Sequence, residues 1–211
     1  MHRKCDNDKH INLHDFYLGQ IFGGYVEKMP SWLKKEADQE LEFIYDYVEE
    51  YEKSQSSEFT TLDIGCGNCR IYKDIPRLTT GKSFACDIFY YKELPNEFKN
   101  WLRDYNVKYQ RIDEFGNWIP MWGKFDIITC YGTDVHLSAL QVDLIMSSAM
   151  KSLKPGGILI WQVNRKDTLK GRYLKWKDRA LEYQYRPKKF YFPYEAKFSS
   201  KVSHIYVYRA K

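Results

Sequence analysis

From Ser31 the chain reads SWLKKEADQELEFIYDYVEEYEKS, in which Leu33, Ala37, Leu41, Ile44, Val48 and Tyr51 recur every three or four positions while acids fill the other face. That period is the apolar stripe of an amphipathic helix. SQSSEF interrupts it, and the rhythm changes. Five apolar runs follow, TTLDI, KSFACDIF, VKYQRID, FDIITCY and GILIWQV, separated by polar or helical stretches. Strands alternating with crossovers predict parallel βαβ units and an open sheet. Among the crossovers, LSALQVDLIMSSAMKSL sets Leu140, Leu144, Ile145, Ala149 and Leu153 on one stripe before KPGG stops it. Past GILIWQV, DTLKGRYLKWKDRALEY reads as a helix, and KKFYFPY and SHIYVYRA as an antiparallel pair closing one edge. Residues 1–30 hold no sustained period and suit a loop with a short helix. The fold class is α/β, a doubly wound, mostly parallel sheet with an antiparallel C-terminal edge.

Composition narrows the class. At 211 residues, 44% apolar and 29% charged, the chain is an ordinary globular domain with enough length for a full core. MHRKCDNDKH opens it with charge, and no run approaches the roughly 20 apolar residues that span a bilayer, so a soluble, cytoplasmic protein is expected. Five cysteines, an odd number without a regular framework, read as reduced thiols. The net charge of +5 hides a split. Residues 151–211 carry 16 Lys and Arg against four acids, leaving 17 against 24 for the rest. Such asymmetry marks either a side that meets an anionic partner or a solvated basic face.

Ligands of an open parallel sheet bind beyond the carboxyl ends of its strands. TTLDI runs into Gly65-Cys66-Gly67, where a side chain would obstruct a ligand lying on the backbone or demand an unfavourable φ. The next strand ends in Asp87, 24 residues past Asp63, where an acid can accept two ribose hydroxyls. The third ends in Asp113, able to accept from an exocyclic amine. The fourth ends in Tyr131-Gly132-Thr133-Asp134. Cys66 and Cys69 form a CxxC, but one pair is half a zinc site and no second pair exists; a redox pair is the other alternative. No His, Asp and Glu cluster has metal-ligand spacing, so no metal is expected.

LDIGCGN, ACDIF, RID, FDIITCYGTDVHL and LKPGGILIWQV, in this order across residues 38–165, resemble the motifs of class I S-adenosylmethionine-dependent methyltransferases. The resemblance implies that Gly65, Cys66 and Gly67 face the amino acid part of S-adenosylmethionine and that Asp63 receives its ammonium group. It implies that Asp87 holds the ribose, that Ile88 packs beside the adenine, and that Asp113 with Ile112 reads the adenine edge. Backbone at Tyr131 or Gly132 would meet the methionine end. Where many members carry a third glycine, this chain has Cys69. By resemblance to small-molecule members, residues 1–55 form an N-terminal helical lid over the cofactor, with His14, Tyr17 and Tyr25 as lid candidates. Residues 56–165 form the cofactor-binding half, and 166–211 the substrate side, within one domain.

Transfer of a methyl group to a hydroxyl or amine also needs a proton removed. His136, just past the fourth strand, is the candidate base, with Asp134 to orient it or to act itself. The Asn- or Asp-Pro-Pro-aromatic run of enzymes that methylate nucleobase amines is missing from CYGTDVHL. The expected acceptor is a small polar, anionic metabolite, a sugar, sugar nucleotide or phosphorylated compound, with Arg165, Lys166, Arg172, Arg186 and Lys188 as anion contacts. S-adenosyl-L-homocysteine would be the product of the cofactor. The rivals are an RNA methyltransferase using the basic tail and a non-catalytic adaptor.

Overall fold

The computed structural model describes residues 22, 31–54, 58–113, 119, 123–133, 139–164, 195–199 and 203–211. Helix α1 spans Ser31–Lys53 and strand β1 Thr60–Ile64. Then follow α2 (Arg70–Asp74), β2 (Lys82–Asp87), α3 (Asn96–Asp104), β3 (Val107–Arg111), β4 (Phe125–Cys130), α4 (Ala139–Lys151), β5 (Leu153–Asn164), β6 (Glu195–Ser199) and β7 (Ser203–Arg209). The sheet has the order β3-β2-β1-β4-β5-β7-β6. β1 pairs in parallel with both β2 and β4, and β5 lies parallel to β4. β7 is antiparallel to both β5 and β6.

The expected doubly wound sheet with an antiparallel C-terminal edge is present, and the order of the last strands refines it. β7 is inserted between β5 and β6, so β6 is the outer strand. The described partner of β7 is Glu195–Ser199; the expected strand KKFYFPY and the helix DTLKGRYLKWKDRALEY lie outside the described residues. β2 ends at Asp87 as expected, whereas β3 ends at Arg111 and β4 at Cys130, short of Asp113 and Tyr131, so Ile88 and Asp113 stand just past the ladder, in the loops where a ligand can be met. Cys86 and Cys130 are not on adjacent strands, because β1 runs between them with Ile64 level with each.

Alternation along the strands sorts the core into two layers. Ile127, Ile158 and Ile160 pack with Leu41, Ile44 and Val48 of α1 and with Phe98 and Leu102 of α3. Leu62, Ile64, Ile128, Leu159 and Trp161 pack on the other face with Val142, Ile145, Met146 and Ala149 of α4. From Ala37 to Tyr51 the α1 stripe is therefore buried as its period predicts, with one correction. Glu40, which falls three residues after Ala37 and four before Ile44, is 1% exposed and belongs to the buried side. In α4 the stripe is rotated from the expected one: Leu144 is 39% exposed, and Val142 and Met146 take its place.

The rotation of α4 is directly checkable. Ile145→Ala should lower unfolding free energy by about 2–5 kcal/mol, the cost of a core cavity. Leu144→Ala should stay within about 0.5 kcal/mol of the parent. Urea denaturation followed by circular dichroism distinguishes this from the expected stripe, on which both residues would be core.

Candidate functional site

β1 is the strand from which the connections depart in opposite directions, toward β2 and β3 on one side and β4 and β5 on the other. The loops after β1 and β4 therefore flank the carboxyl end of the sheet, the place where such a fold takes its ligand. The turn after β1 is left-handed for three of its members. Gly65 has φ +65°, Gly67 φ +52°, and Cys69, where a third glycine is common, φ +58°. An L residue in that region is strained by on the order of 1 kcal/mol, which explains the preference for glycine there. The reason for glycine at 65 is also steric. A Cβ at Gly65 would lie 2.1 Å from Oγ1 and 2.5 Å from Cγ2 of Thr133, so the loop leaving β4 already occupies that space. What a side chain would meet first is protein.

The two acids stand together across this turn. Asp87 accepts from the Gly67 amide through Oδ2 (2.8 Å) and from the Ile88 amide through Oδ1 (2.7 Å), tying the end of β2 to the glycine turn. Asp63 is 2% exposed and accepts from the Thr129 hydroxyl at 2.8 Å. Burial pushes its carboxyl up to about 7; the negative charge of Asp87 adds to the rise, and the Thr129 hydrogen bond opposes it. Two carboxylates confined beside one another favour a ligand that brings positive charge. A pyrophosphate would be repelled, and α2, only five residues long, offers little helix dipole to offset that.

On the β3 side, the Ile112 amide donates to the Asp87 carbonyl (2.9 Å), but the Ile112 side chain is 3% exposed and belongs to the core. Asp113 is half-buried beyond it. Ile88 is 37% exposed at the mouth, an apolar surface that a flat ring can cover. On the β4 side the Gly132 amide donates to Gln162 Oε1 (2.8 Å), and the Tyr131 hydroxyl donates to Glu40 Oε2 (2.8 Å). Burial, then the Glu40 charge, raises the Tyr131 phenol well above its ordinary value, so it stays a donor at neutral pH.

Asp63, Gly65, Cys66, Gly67, Asp87 and Ile88 are thus gathered at one turn, with Gly132 facing it through Thr133. His136, Asp134, Tyr17, Tyr25, His14 and the five C-terminal cations lie outside the described residues. Cys66 and Cys69 are buried, the Cys69 amide donates to the Cys66 carbonyl (2.7 Å), and burial raises both thiols. Protonated and enclosed, they are turn and core residues. Among the described residues no three His, Cys, Asp or Glu side chains gather as a metal-binding group, and no helix is long and apolar enough to cross a membrane. Sequence reasoning passed over Glu40, Thr129, Thr133 and Gln162. Thr129 and Gln162 were signalled by being polar positions in otherwise apolar strands.

No protein-family model matches the chain, and no curated protein does. Solved structures do. The magnesium protoporphyrin IX methyltransferase of Synechocystis PCC 6803 with bound SAH aligns at 14% identity over 95% of both chains, with a TM-score of 0.64. The same enzyme with bound SAM aligns at 13% identity over 95% of this chain and 92% of that one, with a TM-score of 0.57. The PH0226 protein of Pyrococcus horikoshii OT3 aligns at 15% identity over 92% of this chain and 98% of its own, with a TM-score of 0.64. The chain has the class I methyltransferase fold that its motifs resemble.

The buried acid has a signature in stability. In the unfolded chain Asp63 ionises near its ordinary 3.8, and in the folded protein near 7. Between those values the folded state holds the proton more tightly, so stability falls as pH rises from about 4 to about 7 and levels off above, by on the order of 4 kcal/mol. Asp63→Asn should remove this component. Denaturant titrations of both proteins at pH 5 and pH 8 should show the parent losing about 2–3 kcal/mol relative to the variant; parallel losses would mean that Asp63 ionises in the folded protein as it does in the unfolded chain.

Proposed function

We propose that the protein is an S-adenosylmethionine-dependent methyltransferase acting on a hydroxyl or amine of a small polar, anionic metabolite. The observation that carries the cofactor assignment is the pairing of two buried carboxylates with a left-handed glycine turn at the switch point of the sheet. S-adenosylmethionine brings an ammonium, a sulfonium, a ribose diol and an adenine, and this set of groups suits each. When bound, it supplies a methyl group on positively charged sulfur, open to in-line displacement.

The chain's own residues then divide the work. Asp87 is held rigid by two amides and retains acceptor capacity for ribose hydroxyls, since a carboxylate accepts up to about four hydrogen bonds. Asp63 receives the ammonium, directly or through water, and the cation offsets the cost of ionising a buried acid. Ile88 offers an apolar face to the adenine, and Asp113 an acceptor for its amine. The left-handed Gly65-Cys66-Gly67 turn meets the amino acid part through its backbone, with Thr133 filling the space beside Gly65. His136 takes the acceptor's proton and Asp134 orients it, for which a placed base contributes typically ~10²–10⁴-fold. Tyr17 and Tyr25 are the candidates for aromatic walls that would exclude water from the cofactor. The +12 balance of residues 151–211 favours an anionic acceptor held by that side of the domain.

The test is to incubate the purified protein with methyl-labelled S-adenosylmethionine and an extract of its own cells, with Asp87→Ala alongside. Label should enter the small-molecule fraction, and Asp87→Ala should remain folded and transfer at least about tenfold less, the loss expected for a charge-assisted hydrogen bond. Label in nuclease-sensitive material would make the acceptor an RNA. Cofactor binding without transfer to any fraction would point to an adaptor, and equal transfer by Asp87→Ala would move the site elsewhere.

A further inference from the structure

Helix α1 carries a buried carboxylate that packing alone does not require. Glu40 lies within the apolar stripe of α1 at 1% exposure, where an apolar residue of similar volume would bury at lower cost. Its Oε2 accepts two hydrogen bonds from two different strands, from the Tyr131 hydroxyl beyond β4 and from Gln162 Nε2 on β5, each at 2.8 Å. The second bond has a directional consequence. Because Glu40 Oε2 accepts from its nitrogen, the Gln162 amide turns its oxygen toward the loop after β4. That oxygen accepts from the Gly132 amide at 2.8 Å. Gly132 holds φ +68°, and the next residue, Thr133, is the one that stands against Gly65.

We infer that Glu40 is a positioning residue, acting through Gln162 and Tyr131 to hold the Tyr131-Gly132-Thr133 backbone against the glycine turn and so to set the methionine end of the cofactor site. The inference rests on the reading of the cleft as an S-adenosylmethionine site, but its first link does not. Helix α1 thereby does more than cover the sheet: cofactor affinity depends on the seating of one of its side chains. The Gln162 branch sets the amide at Gly132, and the Tyr131 branch holds the ring and the start of the loop.

Glu40→Met, Glu40→Ala and Tyr131→Phe separate the links, with Glu40→Met as the variant that keeps side-chain volume if Glu40→Ala does not fold. Nitrogen-15 amide exchange is read at Gly132 and, as a reference, at Leu62 in β1, and S-adenosylmethionine is titrated calorimetrically. Glu40→Met, which can accept neither bond, should speed exchange at Gly132 at least about tenfold relative to Leu62 and weaken S-adenosylmethionine by a similar factor. Tyr131→Phe should weaken affinity with Gly132 exchange unchanged. A merely structural Glu40 would lower the melting temperature and speed both amides together with affinity unchanged, and that result would overturn the inference. Unchanged Gly132 exchange would overturn it as well. If the parent protein binds no S-adenosylmethionine while Gly132 responds as expected, the cofactor reading fails and the Glu40–Gln162–Gly132 linkage stands.

Discussion

The structure depends on one constraint: β1 is flanked by parallel partners on both sides, and its chain must leave the sheet in the narrow space beneath the loop from β4. Five residues of β1 pair with β2 and four with β4, so the strand end cannot move. The chain then reverses through left-handed residues, and Gly65 has no room for a Cβ because Thr133 stands there. Everything of chemical interest follows from that closeness. It brings Asp63 on β1, Thr129 on β4 and Asp87 on β2 around one turn, and buries a carboxylate that in water would ionise freely.

Burial gives the cleft its selectivity. An isolated buried carboxylate raises its pKa and stays neutral, and a second one nearby raises it further. A cationic ligand reverses that balance, while a phosphate worsens it. The dinucleotide-binding folds share the order of the first five strands and the acid at the end of β2, but they set a phosphate on the glycine turn at a helix N-terminus. Here the turn carries Asp63 beside it and leads into a helix of five residues. The proposed function fits the same scaffold to the opposite charge.

Much of this was legible in the residues. The change from a 3.6-residue to a strand period near position 58, the runs TTLDI and FDIITCY, and the acids at 63 and 87 located the sheet and its carboxyl edge. Strand ends were less legible, because apolar residues such as Ile88 and Ile112 continue past the last ladder bond. The insertion of β7 between β5 and β6 leaves no mark on the pattern of either strand. Glu40 was readable by spacing, three after Ala37 and four before Ile44, but acidity argued for the solvent face; its hydrogen-bond partners lie 91 and 122 residues away. Side-chain roles that depend on such distant pairs need the fold before they can be seen.

The most direct test of the site is to titrate nitrogen-15 protein with S-adenosylhomocysteine and map the amide shifts. The account predicts that the largest changes fall on Gly65, Gly67, Ile88 and Gly132, with the antiparallel β6–β7 pair undisturbed. Saturable shifts confined to another surface, or none at millimolar ligand, would contradict it.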